Sequence, residues 1–439
     1  MHRQLFLLLL LSIFGIGMDS RSLADELQID ELEFVGLQRT DEKWLRSYLP
    51  IDCPCRLTSA QILTLQNKLM TTQVFLSVDM QLENLDDPDR YRLLILVEEK
   101  WTTIPVIRGA FGGGTPLLVA GIYDTHVLGE LWTIGAEVHK YGSASPGGVV
   151  WTRFPRWMTG RHYLNLELWK DRRLRSLYND SYISVGEIQT DATIIRGDML
   201  FPMSFADNWQ FGFHIESRDL VNSSVRIDRP IMPKLEQRIA SIVSADNSQT
   251  GFQKTLLRLV YDDVSINQLQ YHGIRLILSS GPVFRGNRAG NFHEVEGFAY
   301  YQWPGDWNFA SRAYLSASSD QSMASQQFLG GLDSIRGLPD GAIFGTKAGY
   351  LNLEMRHLGW QWPYLEVQNV IFTDIGSASS DWQSFRKDWR ASSGVGIRLS
   401  IPQVHRLVFR IDYAWSLDDY GASGITAGMY QFFQPYRPL

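Results

Sequence analysis

Beyond Trp101 the sequence divides into segments of about ten residues in which apolar and polar positions alternate, the period of two that places successive side chains on opposite faces of a strand. Trp132, Ile134, Ala136 and Val138 oppose Thr133, Gly135, Glu137 and His139. Phe211, Phe213 and Ile215 oppose Gly212, His214 and Glu216. Leu407, Phe409, Ile411, Tyr413 and Trp415 oppose Val408, Arg410, Asp412, Ala414 and Ser416. Charged residues sit in mid-strand on one face, while the other is large, apolar and often aromatic. An apolar outside around a polar inside is the signature of a membrane β-barrel. Helical spans are excluded, because the one long apolar run is Leu5 to Met18 and every later apolar stretch is soon broken by a polar residue. A formal charge of −6 with 12% aromatic residues also argues against disorder and against a basic nucleic-acid binder, so no nucleic-acid partner is expected.

About sixteen antiparallel strands are expected. They lie near 103–111, 115–124, 130–140, 147–155, 161–171, 190–202, 208–218, 253–262, 271–281, 293–302, 306–317, 347–357, 363–374, 392–401, 406–415 and 424–433, and 172–189 has room for strand that extends beyond a bilayer. Connections after strands two, four, six, ten, twelve and fourteen are short turns, such as Thr125 to Gly129 and Pro402 to His405. Those after strands three, seven, eleven and thirteen are long, with Asp219 to Phe252 and Ser318 to Thr346 the longest. Long loops at one end and short turns at the other fit an outer-membrane barrel with aromatic girdles, its short end on the side of the N-terminal module. A secreted propeller or stacked sandwich would need a blade-like repeat, and none is found.

The first hundred residues read differently. His2 and Arg3, an apolar run and Ser22-Leu23-Ala24 give the order of a secretory signal over residues 1–24, cleaved after Ala24. Residues 25–101 then read as a β-α-α-β-β module. Ile29, Leu32, Phe34 and Val35 form a first strand ending at Gly36, and Thr40 or Asp41 caps a short helix. Thr58 and Gln61 make a capping box for a second helix carrying Ile62, Leu65 and Leu69 on one face. Strands over Phe75 to Leu82 and Tyr91 to Val97 follow. Cys53 and Cys55 are too few for a disulfide framework, too close for an easy mutual bridge and too few for a zinc site, and they read as a loop peculiarity.

The loop before the strand at 347–357 reads Phe328-Leu329-Gly330-Gly331-Leu332-Asp333-Ser334-Ile335-Arg336-Gly337-Leu338. That strand carries Asn352-Leu353-Glu354-Met355-Arg356, and the next ends in Phe372-Thr373-Asp374-Ile375-Gly376. With these motifs the chain resembles the BamA/TamA surface-antigen superfamily of outer-membrane assembly and secretion barrels, and its N-terminal module looks like one POTRA domain. The resemblance implies an all-β barrel of sixteen strands over 102–439 after a POTRA-like domain over 25–101. Alternation puts Glu354 and Asp374 in the lumen on neighbouring strands, with Phe372 in the phase of Asp374. The loop segment Ser334, Ile335, Arg336, Gly337 and Leu338 would then carry Arg336 inward to fork between the two carboxylates, a lock whose loss would cost about 3–5 kcal/mol if buried. The sequence departs from the family pattern in three places. Leu338 replaces an aromatic, so plain apolar contact on Phe372 is expected. Gln73 stands where Gly often precedes the Phe of the POTRA domain. The last strand only partly fits the usual terminal signal, and Gln434 to Leu439 follow it.

The resemblance further implies a seam between first and last strands that opens to template a client strand. Pro105 removes a donor from the first strand, as either an edge strand or an ordinary strand start tolerates, and Gly424 and Gly428 deprive the last of packing. A single POTRA domain, no room for a plug helix and no passenger before it point to a specialised assembly or translocation barrel in the outer membrane of a Gram-negative-type bacterium, its POTRA domain in the periplasm. Expected partners are the bilayer, client barrels or passengers, and a periplasmic protein on the POTRA domain. The alternative is a structural barrel, or a passive solute or lipid pore. An enzyme is not expected, since neither G-x-S-x-G nor H-E-x-x-H occurs, and neither cofactor nor metal is implied.

Overall fold

The computed structural model describes residues 26–433 except 50, 86–89, 112–114, 158–161, 205, 232, 234, 237–238, 241–250, 268, 332, 406 and 419–420. The expected signal segment, the tip of the longest loop and the tail from Gln434 lie outside the described residues.

Strand β1 (Glu26–Val35) leads to α1 (Glu42–Tyr48), whose cap is Asp41, accepting from Trp44 N at 2.7 Å. A short strand absent from the sequence reading, β2 (Cys55–Thr58), precedes α2 (Ser59–Thr71). Helix α2 starts on a capping box: Thr58 Oγ1 accepts from Gln61 N at 3.2 Å, and Gln61 Oε1 from Thr58 N at 2.7 Å. With β3 (Phe75–Asn84) and β4 (Arg90–Glu99) the sheet order is β2-β1-β4-β3, and β1 runs parallel to β4. Ile29, Leu45, Leu69, Phe75, Leu93 and Ile95 are fully buried between helices and sheet. Strand β2 escaped notice because four residues are too short to display a period.

The remaining strands close into a barrel: β5 (Thr103–Phe111), β6 (Leu117–Val127), β7 (Trp132–Tyr141), β8 (Gly147–Trp157), β9 (His162–Tyr178), β10 (Ser184–Met203), β11 (Ala206–Ile227) and β12 (Phe252–Asp262) form its first half. The small β13 (Ser265–Asn267) pairs with β14 (Gln270–Arg285), followed by β15 (Arg288–Trp303) and β16 (Trp307–Ser318). A two-stranded ribbon, β17 (Gln327–Leu329) and β18 (Ile343–Gly345), belongs to the long loop. The wall is completed by β19 (Lys347–Trp362), β20 (Leu365–Ser379), β21 (Arg390–Ser400), β22 (Val408–Ser416) and β23 (Ser423–Met429), with a one-turn helix α3 (Trp382–Lys387) between β20 and β21. Leaving out the small β13, the wall has sixteen antiparallel strands. The longest strands, β9 to β11, continue well past their neighbours, so residues 172–178, 184–189 and Asp219–Ile227 are strand, and the loop expected from Asp219 begins later.

Alternation turns the large apolar side chains outward, as at Ile107, Ile134, Val138, Phe211, Ile371 and Ile411, all exposed. Lipid would cover this band, and Trp303, Trp307, Trp360, Trp362 and Tyr364 project at its short-turn end. The inner face departs from a uniformly polar lining beside the closure: Ile104, Val106, Val119, Tyr123, Trp151 and Tyr430 pack there as an apolar cluster.

Three short turns also carry the N-terminal domain. Asp41 N donates to Gly129 O at 3.1 Å, Gln73 Nε2 to Ile266 O at 2.9 Å, and Trp101 N to Gln403 O at 2.8 Å. Gln73 has φ of 65°, the left-handed region where glycine is at ease and a side chain costs about 1–2 kcal/mol. That cost is offset by what the residue gains, since His405 Nδ1 donates to its carbonyl at 2.8 Å while its amide reaches Ile266. At the end of β4, Glu99 accepts from the N–H groups of Gln38 (3.2 Å), Arg39 (2.9 Å) and Thr40 (3.0 Å). Burial raises its carboxyl, but hydrogen bonds from Thr40, Arg39 and Gln38 outweigh this and hold it below the usual carboxylate range. Its contribution is present above the unfolded value of about 4.3 and lost as pH falls through the lower folded value. Glu99→Gln should therefore speed hydrogen exchange at Gln38–Thr40 by about tenfold at neutral pH, as expected for a bond to a charged group. The advantage of the native protein over the variant should begin to shrink as pH falls below the unfolded value of about 4.3 and vanish once pH is below the lowered folded value; equal exchange rates at neutral pH would overturn this account.

Candidate functional site: a buried arginine in the lumen

The register of β19 against β20 sets Asn352 opposite Asp374 and Glu354 opposite Phe372, so two carboxylates and a ring enter the lumen from adjacent strands. Side chains in one phase of each strand are buried, Asn352, Glu354 and Arg356 on β19 and Gln368, Phe372 and Asp374 on β20. The loop between β16 and β19 folds inward and delivers Arg336 to them. Ser334 shapes its approach: its Oγ accepts from Gly330 N at 2.8 Å, and its carbonyl accepts from Asn352 Nδ2 at 2.6 Å. Ile335 and Leu338 are buried on either side of the arginine, in a cluster with Leu329, Ala348 and Tyr350. Gly337 has φ of 82°, and a Cβ there would lie 3.1 Å from the backbone of Ala414, so the loop presses against β22 where only glycine fits.

Arg336 is 0% exposed. Its Nε and Nη2 donate to the two oxygens of Asp374 at 2.8 and 2.9 Å, its backbone N–H to Asp374 Oδ2 at 3.0 Å, and its Nη1 to Glu354 Oε1 at 2.6 Å. This is a bidentate fork on one carboxylate with a further bond to the second. The ring of Phe372 lies 3.4 Å from the guanidinium carbon and that of Phe432 3.7 Å, so π faces cover it as well. Phe372 thus meets Arg336 and not Leu338, which packs in a different cluster. Two ring atoms of Phe372 occupy the space a Cβ at Gly394 would need.

Further groups that the sequence reading did not assign complete the site. Arg356 Nε donates to Glu354 Oε2 at 2.8 Å, Arg398 Nη1 to Asp412 Oδ1 at 2.7 Å, and Arg410 Nη1 to Asp412 Oδ2 at 3.1 Å. Asp412 also lies 3.7 Å from Arg336 Nη1. Four guanidiniums (336, 356, 398, 410) interleave with three carboxylates (354, 374, 412). Arg410 and Asp412 stand in the lumen phase of their strand, visible in the sequence, but alternation cannot say which loop meets them.

The end of the chain supplies the remaining partners. The last strand was expected to run to 433, but β23 ends at Met429, and Tyr430, with φ of 71°, turns the chain into the barrel. Gln431 then binds Gln368 (2.9 Å) and Arg398 (3.3 Å), Phe432 covers Arg336, and Phe433 O accepts from Arg356 Nη2 at 3.3 Å. The inward phenylalanines meet cations that a continued strand would leave uncovered.

The seam residues lie close by. Among the described residues β23 registers on β5 at Ile425–Phe111, Thr426–Ala110 and Ala427–Gly109, whereas β19 and β20 pair from Lys347–Ser379 to Trp362–Leu365. Pro105 lies outside this pairing on β5, and beyond it Ile107 N donates to Met429 Sδ at 3.2 Å. Gly424 and Gly428 share the phase of the lumen-facing Thr426, and a Cβ at Gly428 would sit 3.3 Å from Arg410 Nε. A cavity of about 440 Å³ lies further along the lumen, lined by Arg173, Arg196, Glu216, Lys254 and Arg258 among others.

Removing Arg336 takes the guanidinium fork from Asp374 and one partner from Glu354 in a dehydrated site, so Arg336→Ala should destabilise the barrel by about 3–5 kcal/mol. Arg336→Lys should fail to restore it, because a point ammonium cannot reproduce the fork. Denaturant midpoints and heat-modifiability on gels check both; native values for the alanine variant would overturn the assignment.

Residues 277–433, which include every member of this charge cluster, match the Omp85 superfamily domain. Among solved structures, CdiB from Escherichia coli superposes with a TM-score of 0.62 at 13% identity, covering 92% of this chain and 77% of that one. BamA from Haemophilus ducreyi lacking POTRA domains 1–3 gives 0.54 at 14% identity, covering 92% and 85%. CdiB from Acinetobacter baumannii gives 0.59 at 11% identity, covering 92% and 74%. No curated protein matches the sequence. These likenesses show the fold, and the domain match assigns residues 277–433, the part that carries the arginine site, to the Omp85 superfamily domain.

Proposed function

We propose that this barrel assembles or translocates outer-membrane or surface proteins through a lateral seam between β5 and β23, without enzymatic chemistry. It would reside in the outer membrane of a Gram-negative-type bacterium after removal of residues 1–24, with 102–439 in the bilayer and 25–101 in the periplasm as a POTRA-like domain that receives a partner or client. The superfamily supports the general reading of assembly or secretion. The observation that carries the lateral seam is the closure itself. Register between β5 and β23 stops at Gly109–Ala427, and the chain that would have continued it is turned into the lumen. Beyond that point β5 has, among the described residues, no backbone partner on β23: Pro105 carries no donor and Ile107 N–H is met only by the weak acceptor Met429 Sδ, so an incoming edge that displaces Met429 would supply backbone bonds that lipid cannot.

The same turned-in segment touches the arginine site, so seam and lock share a part. Withdrawal of Phe432 would uncover Arg336, and release of the loop would remove the partner of Phe432. The lock would thus hold the closure by favouring the inward tail, and the occupied lumen argues against a wide passive pore.

Pinning the seam tests this reading. Gly109→Cys with Ala427→Cys, made in a Cys53→Ser, Cys55→Ser background, places two thiols on directly opposite residues at a separation suited to a disulfide. The oxidised variant should fail to restore client barrels or surface passengers in a deletion strain, and reductant should restore them. Full activity of the cross-linked barrel would sink the lateral route. A deletion strain with an unchanged outer-membrane proteome and altered solute uptake would favour the pore.

A further inference from the structure

Cys53 and Cys55 are the only cysteines of the chain, and their sulfurs lie 3.4 Å apart. Both are partly buried against the core of the N-terminal domain. One residue of separation had argued against a mutual bridge, yet the turn across Pro54 folds back enough to set the two thiols face to face. Bond formation requires the sulfurs to approach to about 2.05 Å, a closure of little more than an ångström that side-chain rotation can supply. We propose that Cys53 and Cys55 are a disulfide-forming pair, closed as an intramolecular cross-link in the N-terminal domain. The proposal rests on the periplasmic placement of that domain, since thiols are oxidised there and kept reduced in the cytosol.

The chemistry needs a protein disulfide of the periplasm as oxidant. A thiolate of the pair attacks one sulfur of that disulfide, forming a mixed disulfide and expelling the oxidant's other thiolate. The second thiolate of the pair then attacks the bound cysteine sulfur, forming the Cys53–Cys55 bond and releasing the oxidant as a dithiol. Two protons and two electrons leave the pair and arrive on the oxidant. Burial, then the neighbouring Cys55, push the Cys53 thiol up to about 12 in the folded domain. Few thiolates form there at neutral pH, which suits a structural bridge closed during folding and not a pair that exchanges with clients.

The bridge also has a definite place in the sheet. Cys55 opens β2 and pairs with Ile29, the last residue of β1 that β2 covers, while β1 continues along β4 to Val35. The outer edge of β1 is therefore free of β2 from Asp30 onward. Closing the Cys53–Cys55 ring would anchor the end of β2 at that boundary and keep the uncovered part of β1 from lengthening by fraying, which matters because an open edge pairs with other strands.

Full-length protein extracted from the cell envelope, denatured and treated with a maleimide, decides the matter. The expected result is no labelling before reduction, labelling of both cysteines after it, and one label without reductant on each of the variants Cys53→Ser and Cys55→Ser. Labelling of both cysteines before reduction that persists after the folded protein is treated with diamide would overturn the bridge, as would a disulfide-linked dimer of the native sequence on a non-reducing gel. Thiols that are free on extraction but disappear as an intramolecular bridge on diamide treatment would uphold the pair's geometry while overturning the periplasmic placement.

Discussion

A guanidinium with no exposure to solvent is tolerable only if every donor is met, and at Arg336 that demand organises much of the barrel's interior. Asp374 takes the fork, Glu354 takes the remaining arm, and two phenyl faces cover the plane. Each partner fixes something else. Asp374 and Glu354 require the β19–β20 register that brings them into one phase. Gly337 lets the loop lie on β22, and Gly394 clears the space for Phe372. Glu354 and Asp412 in turn hold Arg356, Arg398 and Arg410. Such a network adds little net stability compared with apolar packing, but it discriminates sharply among loop positions, because every displacement leaves a buried charge unpaired.

The inward tail belongs to the same network. Crowded guanidiniums keep donors and faces that carboxylates alone do not cover, and Phe432 and Phe433 bring π faces and a backbone carbonyl to them. Strand β23 is short because its continuation has a better use inside. The weak closure between β5 and β23 and the packed site in the lumen are therefore two results of one turn at Tyr430.

Alternation made the barrel legible, since lipid outside and charge inside leave a period-two record that survives without any alignment. The two carboxylates and Arg336 were legible for the same reason, with motif order joining strand to loop. What alternation could not express was lost. Asp412 and Arg410 look like any lumen-facing pair until the loop is placed against them. The end of β23 was misread because Gln431, Phe432 and Phe433 continue an acceptable strand pattern, and nothing local marks Tyr430 as left-handed. Short β2 and the nearness of Cys53 to Cys55 depend on a turn of a few residues, below the length at which periodicity carries information. The demand for glycine at position 73 was visible as a departure, and the two hydrogen bonds by which Gln73 compensates for it join it to partners far along the chain.

The apolar cluster behind the closure makes the two halves of the interior respond to different forces. Ile104, Val106, Val119, Tyr123 and Trp151 hold the wall beside the seam by dispersion and exclusion of water, which added electrolyte scarcely weakens. Across the lumen, Arg196, Glu216, Lys254 and Arg258 line a polar cavity roomy enough for counterions to compete with their pairing. Ionic strength is therefore felt by the wall far from the closure, while the wall that borders it answers chiefly to temperature.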